Sequence, residues 1–151
     1  MDAILRFDTE LFYLINTRLT THSLDIFMPY VTQKFNFFGA SVLVAAVLMF
    51  IVGGKKERWA IVILILAVFS ADFLAAGFKH VFGRIRPCNA LEGVRLLVGC
   101  GGSFSFPSAH ATNITAAMVF LTARYRKYAP VFLPVAVIIS YSRVYVGVHY
   151  P

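Results

Sequence analysis

The sequence predicts an all-α fold, a polytopic transmembrane helix bundle with an amphipathic interfacial helix at its N-terminus. The first observation is composition: 59% of the 151 residues are hydrophobic and 14% are charged, whereas soluble domains carry about 45–50% and about 25%. The second is a set of apolar runs close to the ~20 residues that a helix needs to cross a bilayer. The third is the net charge of +7, which in so apolar a chain indicates a membrane protein and no nucleic-acid partner. Intrinsic disorder is excluded because it requires low hydrophobicity.

The N-terminal segment, residues 1–34, is predicted to form interfacial helices. Its apolar residues recur at helical spacing, as Ile4, Phe7, Leu11, Leu14 and Ile15 show. This spacing is typical of an amphipathic helix at the membrane surface, and it fits a helix packed on the bundle equally well. A cleaved signal peptide is not indicated, because charges are scattered through the segment and a small-residue cleavage site is lacking.

Four spans are predicted to follow, all within one membrane domain that covers residues 1–151. They are residues 35–52, 59–78, 109–123 and 129–145. Asp72 is ionisable and lies inside the second span, and Pro134 predicts a break in the fourth. The chain shows neither repeats nor linkers, so we expect no domain boundary.

Two short basic loops predict the orientation of these spans. Residues 53–58 carry three basic side chains and one acidic one, and residues 123–128 carry three basic ones. Short loops rich in Lys and Arg stay cytoplasmic. Four spans with both loops inside alternate consistently, so residues 79–107 and the end of the fourth span are expected outside.

Three groups of polar residues, distant in sequence, meet on this outer face. They are residues 79–87, 106–110 and 142–149, with Lys79, Arg84, Arg86, Arg143, Ser108, His110 and His149 among them. Guanidinium groups match phosphate oxygens in a bidentate fork, a serine at a helix start can also hold phosphate, and two histidines can act as acid and nucleophile. Glu92 is the one carboxylate from Lys79 onward, so we expect neither a metal nor another cofactor, and cations must stabilise the transition state.

Each group taken alone has a simpler interpretation. Lys79 or Arg84 could anchor a lipid headgroup, His110 could cap or pack a helix, and His149 could be an interfacial side chain. The coincidence of all three groups on one predicted face favours a phosphate site.

The motifs resemble those of the PAP2 superfamily, the type 2 phosphatidic acid phosphatases, in its membrane-integral lipid phosphatase branch. The K-x6-R-P motif is matched by Lys79, Arg86 and Pro87, and P-S-G-H by Pro107, Ser108 and His110, with Ala109 in place of Gly. The S-R-x5-H-x3-D motif is matched by Ser142, Arg143 and His149. The resemblance covers residues from about 72 to the end and implies a PAP2-like core.

The resemblance also implies a role for each matched residue. His149 would attack phosphorus and form a phosphohistidine, and His110 would protonate the leaving oxygen. Lys79, Arg86 and Arg143 would bind the phosphate oxygens, with a hydrogen bond from Ser108. Water would then hydrolyse the phosphohistidine.

Two departures from the family pattern carry expectations. Ala109 suits the first turn of a helix, so we expect little effect unless the backbone there needs positive φ. The third motif should end with Asp four residues after His149, and a further span should follow, both beyond Pro151. That Asp would orient the His149 ring, and we expect a longer native protein to supply it.

Four other residues are candidates for supporting roles. Asp72 is expected to pair with or orient a basic residue below the site, because intramembrane charges are costly and mark function; a hydrogen bond between helices without effect on catalysis is the alternative. Arg84 is a second supporting candidate. Cys88 and Cys100 could form a disulfide if their loop faces an oxidising compartment, or stay as two thiols.

The expected function is metal-independent hydrolysis of a lipid phosphate or diphosphate at the outer face of a membrane, with the bilayer and a membrane lipid as partners. A polyprenyl diphosphate, the 1-phosphate of lipid A and phosphatidylglycerophosphate are the candidate substrates. We expect an integral protein of a bacterial inner membrane with a periplasmic or extracellular site. The alternatives are a non-catalytic protein that binds anionic lipid and, less well supported, a transporter or channel component.

Overall fold

The computed structural model describes residues 2–33, 47, 50–102 and 104–151 of the chain. These residues form helices and loops, and none of them lies in a strand. The α-helices are α1 (Asp2–Tyr13), α2 (His22–Thr32), α3 (Lys55–Phe82), the short α4 (Pro87–Ala90), α5 (Ala109–Arg124) and α6 (Ala129–Tyr145). A π-helical turn, Leu14–Arg18, extends α1, and a 3-10 turn, Arg126–Tyr128, precedes α6. The all-helical prediction is confirmed.

The N-terminal helices bury one face against the rest of the molecule and leave apolar side chains of another face exposed. Ile4 and Phe7 of α1 are 74% and 66% exposed, whereas Phe12 and Asn16 are fully buried against the rest of the molecule. The Thr21 side chain caps α2 by accepting a hydrogen bond from the Leu24 N–H at 3.3 Å, which satisfies one of the unpaired donors at a helix start. The segment therefore packs on the bundle with one face and presents apolar side chains with another.

Two described stretches are long and apolar enough to cross a membrane. They are Lys55–Ala90 and Arg126–Tyr145, with mean hydropathy 2.5 and 1.3 over their best windows. Helix α5 has 16 residues, or roughly 24 Å at 1.5 Å per residue, so the third span stays a prediction. The first predicted span lies mostly outside the described residues; residues 47 and 50–52 within it are helical.

The expected break at Pro134 is wrong. Helix α6 continues from Ala129 to Tyr145 with Pro134 inside it. Proline lacks the N–H that would bond four residues back, but Pro134 stands near the helix start, where that one missing bond does not interrupt the helix.

The end of α3 brings the first motif to the loops at one end of the bundle. Gly83 follows Phe82 with φ of +55°, and its N–H bonds the Lys79 carbonyl at 3.0 Å. Left-handed backbone of this kind favours glycine and is a common way to end a helix. Lys79 therefore lies in the last turn of α3, and the segment that carries Arg84 and Arg86 leaves the helix directly beside it.

Among the described helices, α5 packs between α3 and α6, and these three form what we call the bundle. At one end, Arg124 pairs with Glu57 at 2.5 Å and the Tyr125 hydroxyl donates to the same carboxylate, so the two basic loops lie together. The opposite end, which we call the motif end, comprises residues 2–33, 83–102, 104–108 and 142–151. Its core is formed by Met28, Tyr145, Val146 and Val148, with Ile15, Leu24, Leu97, Val98 and Tyr141 packed on them.

Candidate active site

A tight turn after α6 carries His149 into the interior of the motif end. The N–H groups of Val148 and His149 both bond the Arg143 carbonyl, at 3.3 and 3.2 Å. Gly147 has φ of +87°, and a Cβ there would stand 2.6 Å from the Arg95 carbonyl oxygen. Glycine is required on both counts. His149 is consequently 3% exposed, so an interfacial side chain is not what the structure shows.

The His149 ring is oriented by Ser105. Its Nδ1 hydrogen-bonds the Ser105 carbonyl oxygen and lies 3.4 Å from Ser105 Oγ. A carbonyl can only accept, so Nδ1 carries the proton, and the lone pair of the neutral ring lies on Nε2. The Ser105 N–H in turn bonds the Arg84 carbonyl at 2.7 Å. Ser105 thus holds the His149 ring in one tautomer, and its own N–H links the ring to the first-motif segment at Arg84.

Burial and positive charge keep His149 neutral. The pKa of the ring is lowered to about 3 by its burial and then by Arg86, Arg143 and Lys79, while the hydrogen bond to the Ser105 carbonyl raises the pKa against them. Like charges near an imidazole disfavour its protonated form. Three cations from three separate segments therefore surround one buried imidazole, as an anion site with a neutral nucleophile requires.

Arg86 is held almost completely buried beside the turn. Its Nη1 donates to the Val148 carbonyl at 3.5 Å, and the side chain is 7% exposed. A Cβ at Gly101 would stand 3.4 Å from the Arg86 guanidinium carbon, so the loop that contains Gly101 passes close over this side chain. The hydrogen bond from Arg86 to the Val148 carbonyl joins the first motif to the third.

Arg143 is also buried, and one of its donors is unsatisfied. Its Nη1 donates to the Thr32 hydroxyl, whereas its Nε, among the described residues, has no hydrogen-bond partner. A buried unpaired donor costs about 1–3 kcal/mol, more when charged. An anion that accepts from this guanidinium would remove that cost, and a phosphate has the oxygens to do so.

Ser108 caps α5, as the sequence predicts, and lines a cavity of about 850 Å³ together with Ser105, Arg143 and His149. Its hydroxyl accepts from the Ala111 N–H at 3.5 Å. The cavity continues between α5 and α6 along apolar side chains that include Met118, Val119, Leu133 and Val137. His110 lies two residues after Ser108 in the first turn of α5, with Ala109 helical between them.

The supporting candidates have specific partners. The Asn113 side chain donates to Asp72 Oδ1 at 2.8 Å, which joins α3 to α5. Arg84 pairs with Asp8 of α1, and its guanidinium carbon lies 3.6 Å from the centroid of the Tyr150 ring. Arg84 therefore ties α1 to the residue after His149.

A disulfide joins Cys88 and Cys100, whose Cα atoms are 6.3 Å apart, and closes the loop between them. Within the described part of the chain, no three His, Cys, Asp or Glu side chains are grouped so that they could hold a metal ion.

Four residues of the site were not predicted from the sequence: Asn16, Asp25, Thr32 and Ser105. Asn16 lies four residues after Phe12, which the structure buries, but the sequence alone does not show which face of this segment is the inner one. Thr32 and Ser105 carry no signal either, because their partners are Arg143 and His149, which are distant in sequence.

Comparison with known proteins agrees with this geometry. Residues 60–151 match the family model of the PAP2 superfamily. The chain is 31% identical over 96% of its length to an undecaprenyl-diphosphatase of Sulfolobus acidocaldarius, and 35% identical over 60% of its length to a lipid A 4′-phosphatase of Bacteroides thetaiotaomicron. It spans 68% and 44% of those two proteins.

Solved structures show the same architecture. LpxE of Aquifex aeolicus superimposes with a TM-score of 0.75 at 31% identity, over 95% of this chain and 82% of that one. A transmembrane PAP2-type phosphatidylglycerolphosphate phosphatase of Bacillus subtilis gives 0.76 at 23% identity, over 99% of this chain and 76% of that one, which shows the shared fold. The chain therefore belongs to the PAP2 superfamily, and these relatives are membrane lipid phosphatases.

Proposed function

We propose that this protein is a metal-independent lipid phosphatase that works through a phosphohistidine intermediate on His149. The observation that carries the proposal is one buried, neutral imidazole among Lys79, Arg86 and Arg143, with its Nε2 lone pair available. A nucleophile must be unprotonated to attack, and the cations that lower its pKa also attract the phosphate that it attacks.

The reaction divides into two steps. In the first, His149 Nε2 forms a bond to phosphorus while the bond from phosphorus to the lipid oxygen breaks, and His110 donates a proton to that oxygen. In the second, water attacks phosphorus and gives a proton to His110, which the first step left unprotonated; the P–N bond breaks, and inorganic phosphate leaves His149 as the neutral imidazole. The three cations stabilise the charge on the phosphoryl oxygens in both steps.

The shape of the cavity supports a lipid as substrate. Its polar wall contains Ser108, Arg143 and His149, and its remaining length between α5 and α6 is apolar. An anionic headgroup attached to a hydrocarbon tail fits such a surface. A panel of a polyprenyl diphosphate, lipid A phosphorylated at the 1 or the 4′ position and phosphatidylglycerophosphate would identify the preferred headgroup.

The outer face of the membrane is the proposed side of the site. The two basic loops lie together at the opposite end, where a cytoplasmic location is favoured. The disulfide between Cys88 and Cys100 lies at the motif end, and disulfides persist in oxidising compartments. An impermeant thiol reagent should label Glu92→Cys and leave Lys56→Cys unlabelled in intact cells; the reverse pattern would place the site inside.

The catalytic proposal is tested by phosphate release from these lipids in detergent with a chelator present. Turnover should resist the chelator and be lost in His149→Ala, while the control His22→Ala, in an exposed residue, should retain it. Activity that survives His149→Ala, or that needs a divalent metal, would contradict the mechanism. Lipid binding without any phosphate release would instead support the non-catalytic alternative.

A further inference from the structure

Asn16 joins two segments of the motif end with one buried side chain. Its Nδ2 donates to the carbonyl oxygens of Arg95 and Tyr145, at 2.9 and 2.8 Å, and its Oδ1 accepts from the Arg95 N–H at 2.9 Å. The side chain is fully buried, and both amide hydrogens are used. Burial of an amide is favourable only when it is bonded in this way.

A second polar link lies beside the first. Asp25 of α2 accepts from Arg95 Nη2 and from the Tyr145 hydroxyl, both at 2.6 Å, and the Arg95 Nη1 donates to the Asn16 carbonyl at 3.1 Å. The hydrogen bonds that Asp25 accepts from Arg95 and Tyr145 lower the pKa of Asp25, so its carboxylate stays charged. Arg95 and Tyr145 are therefore each contacted by both N-terminal residues.

The two contacted segments brace the turn that presents His149. Tyr145 is the last residue of α6, and the Leu97 N–H bonds the Val146 carbonyl at 3.2 Å. The Arg95 carbonyl that accepts from Asn16 is also the atom against which Gly147 is packed. A shift of Arg95 or Tyr145 would consequently move residues 146–149 as a unit.

We propose that Asn16 is a positioning residue of the reaction, which holds the Arg95 segment and the end of α6 together so that His149 keeps its place among the cations. Asp25 supports the same arrangement from α2. The inference rests on the proposed function of His149 and adds that the N-terminal segment, outside the matched family region of residues 60–151, is a working part of the site.

The test compares Asn16→Ala with Thr17→Ala, its neighbour. Within the described ranges of the chain, the Thr17 hydroxyl donates only to the Tyr13 carbonyl of its own helical segment, so this control removes a local bond and leaves the link intact. For Asn16→Ala we expect kcat per folded protein to fall about 10- to 100-fold, with a smaller change in KM, because misplacement of a reacting group by ~1 Å can cost ~10²-fold. Thr17→Ala should keep kcat within a few-fold.

A readout that does not need activity is the titration of the His149 ring by NMR. The groups that face it are Lys79 of α3, Arg86, Arg143 of α6 and the Ser105 carbonyl. If the turn loosens in Asn16→Ala, water reaches the ring and its pKa should move upward by a unit or more toward 6.5. Thr17→Ala should leave the titration unchanged.

The outcomes separate this inference from the proposed function. If the unsubstituted protein lacks turnover, the proposed function fails, and the NMR titration still decides whether Asn16 positions His149. If Asn16→Ala lowers only Tm, with kcat and the titration unchanged at temperatures well below Tm, the positioning role is wrong. If Asn16→Ala does not fold, Asp25→Asn is tested by the same two readouts. We expect kcat and the His149 pKa to change in the same directions as for Asn16→Ala, but by less. If neither changes, the positioning role is wrong.

Discussion

The bundle and the motif end of this protein follow opposite rules of burial. In the bundle, large apolar side chains face outward, and Phe69 and Phe73 of α3 are 70% and 72% exposed, while small residues such as Ala75 are buried between helices. At the motif end the buried residues include polar ones: Asn16, Thr32, Arg86, Ser105, Ser142, Arg143 and His149.

The difference follows from what surrounds each region. Outward apolar side chains are stable where lipid is the solvent, and small residues let helices approach closely. Buried polar groups cost free energy unless each finds a partner. The motif end meets that cost with hydrogen bonds from the N-terminal helices and from residues 83–105. It leaves one donor unsatisfied, Arg143 Nε, and a phosphate oxygen could accept from that donor.

The largest contrast is expected between two arginines, one in each region. Arg143→Lys should lower kcat/KM about 10²-fold or more, because a Lys cannot reproduce the buried guanidinium contacts and loss of one such donor costs about 10²–10³. Arg124→Lys changes an exposed ion pair with Glu57 and should leave kcat/KM within about two-fold, since surface pairs contribute about 0–1 kcal/mol. Steady-state kinetics on both variants would show whether the regions differ; equal losses would remove the contrast.

Two glycines provide the next contrast. Gly147→Ala places a Cβ 2.6 Å from the Arg95 carbonyl at φ of +87°, so we expect a clear fall in Tm and a loss of kcat of more than 10-fold as the turn that carries His149 shifts. A Cβ at Gly77, inside α3, meets nothing within 4 Å. Gly77→Ala should therefore stabilise the helix by about 0.5–1 kcal/mol and retain activity. A tolerated Gly147→Ala would refute the close packing of the turn.

A pH titration tests the electrostatics of the motif end. The pKa of His149 is lowered to about 3 in the fold, against about 6.5 in an unfolded chain. Below pH 6.5 the unfolded state therefore binds a proton that the folded state does not, so the His149 contribution to stability is present above pH 6.5 and declines as pH falls toward 3. The fall in Tm between pH 7 and pH 5 should be smaller in His149→Gln than in the unsubstituted protein; an equal fall in both would contradict the buried neutral ring.

The smallest effect is expected at Asp72. Asp72→Asn keeps a side chain that can bond Asn113, and interhelical hydrogen bonds in membrane proteins contribute only about 0.6 kcal/mol on average. We expect kcat to change less than about three-fold and Tm to change slightly. A fall in kcat beyond 10-fold would instead favour the role first expected from the sequence, in which Asp72 orients a basic residue of the site.

The sequence predicts those parts of the molecule whose information is local. Apolar runs and the cap residue Ser108 locate helices α3, α5 and α6, and the ordered motifs identify Lys79, Arg86, Arg143 and His149. It does not predict the contacts of Asn16 with Arg95 and Tyr145, which are 79 and 129 residues away. His149 Nδ1 bonds the backbone carbonyl of Ser105. Any residue at position 105 would provide that carbonyl, so the identity of the residue does not predict the contact.

The central claim, that His149 is the nucleophile, is tested most directly by trapping the intermediate. Turnover of a ³²P-labelled lipid phosphate should be quenched rapidly in base, and the labelled peptide identified by mass spectrometry. The proposed mechanism predicts an acid-labile, base-stable label on His149 that is absent from His149→Ala and present in Thr17→Ala. A label on another residue, or continued turnover with no protein-bound phosphate at any quench time, would contradict it.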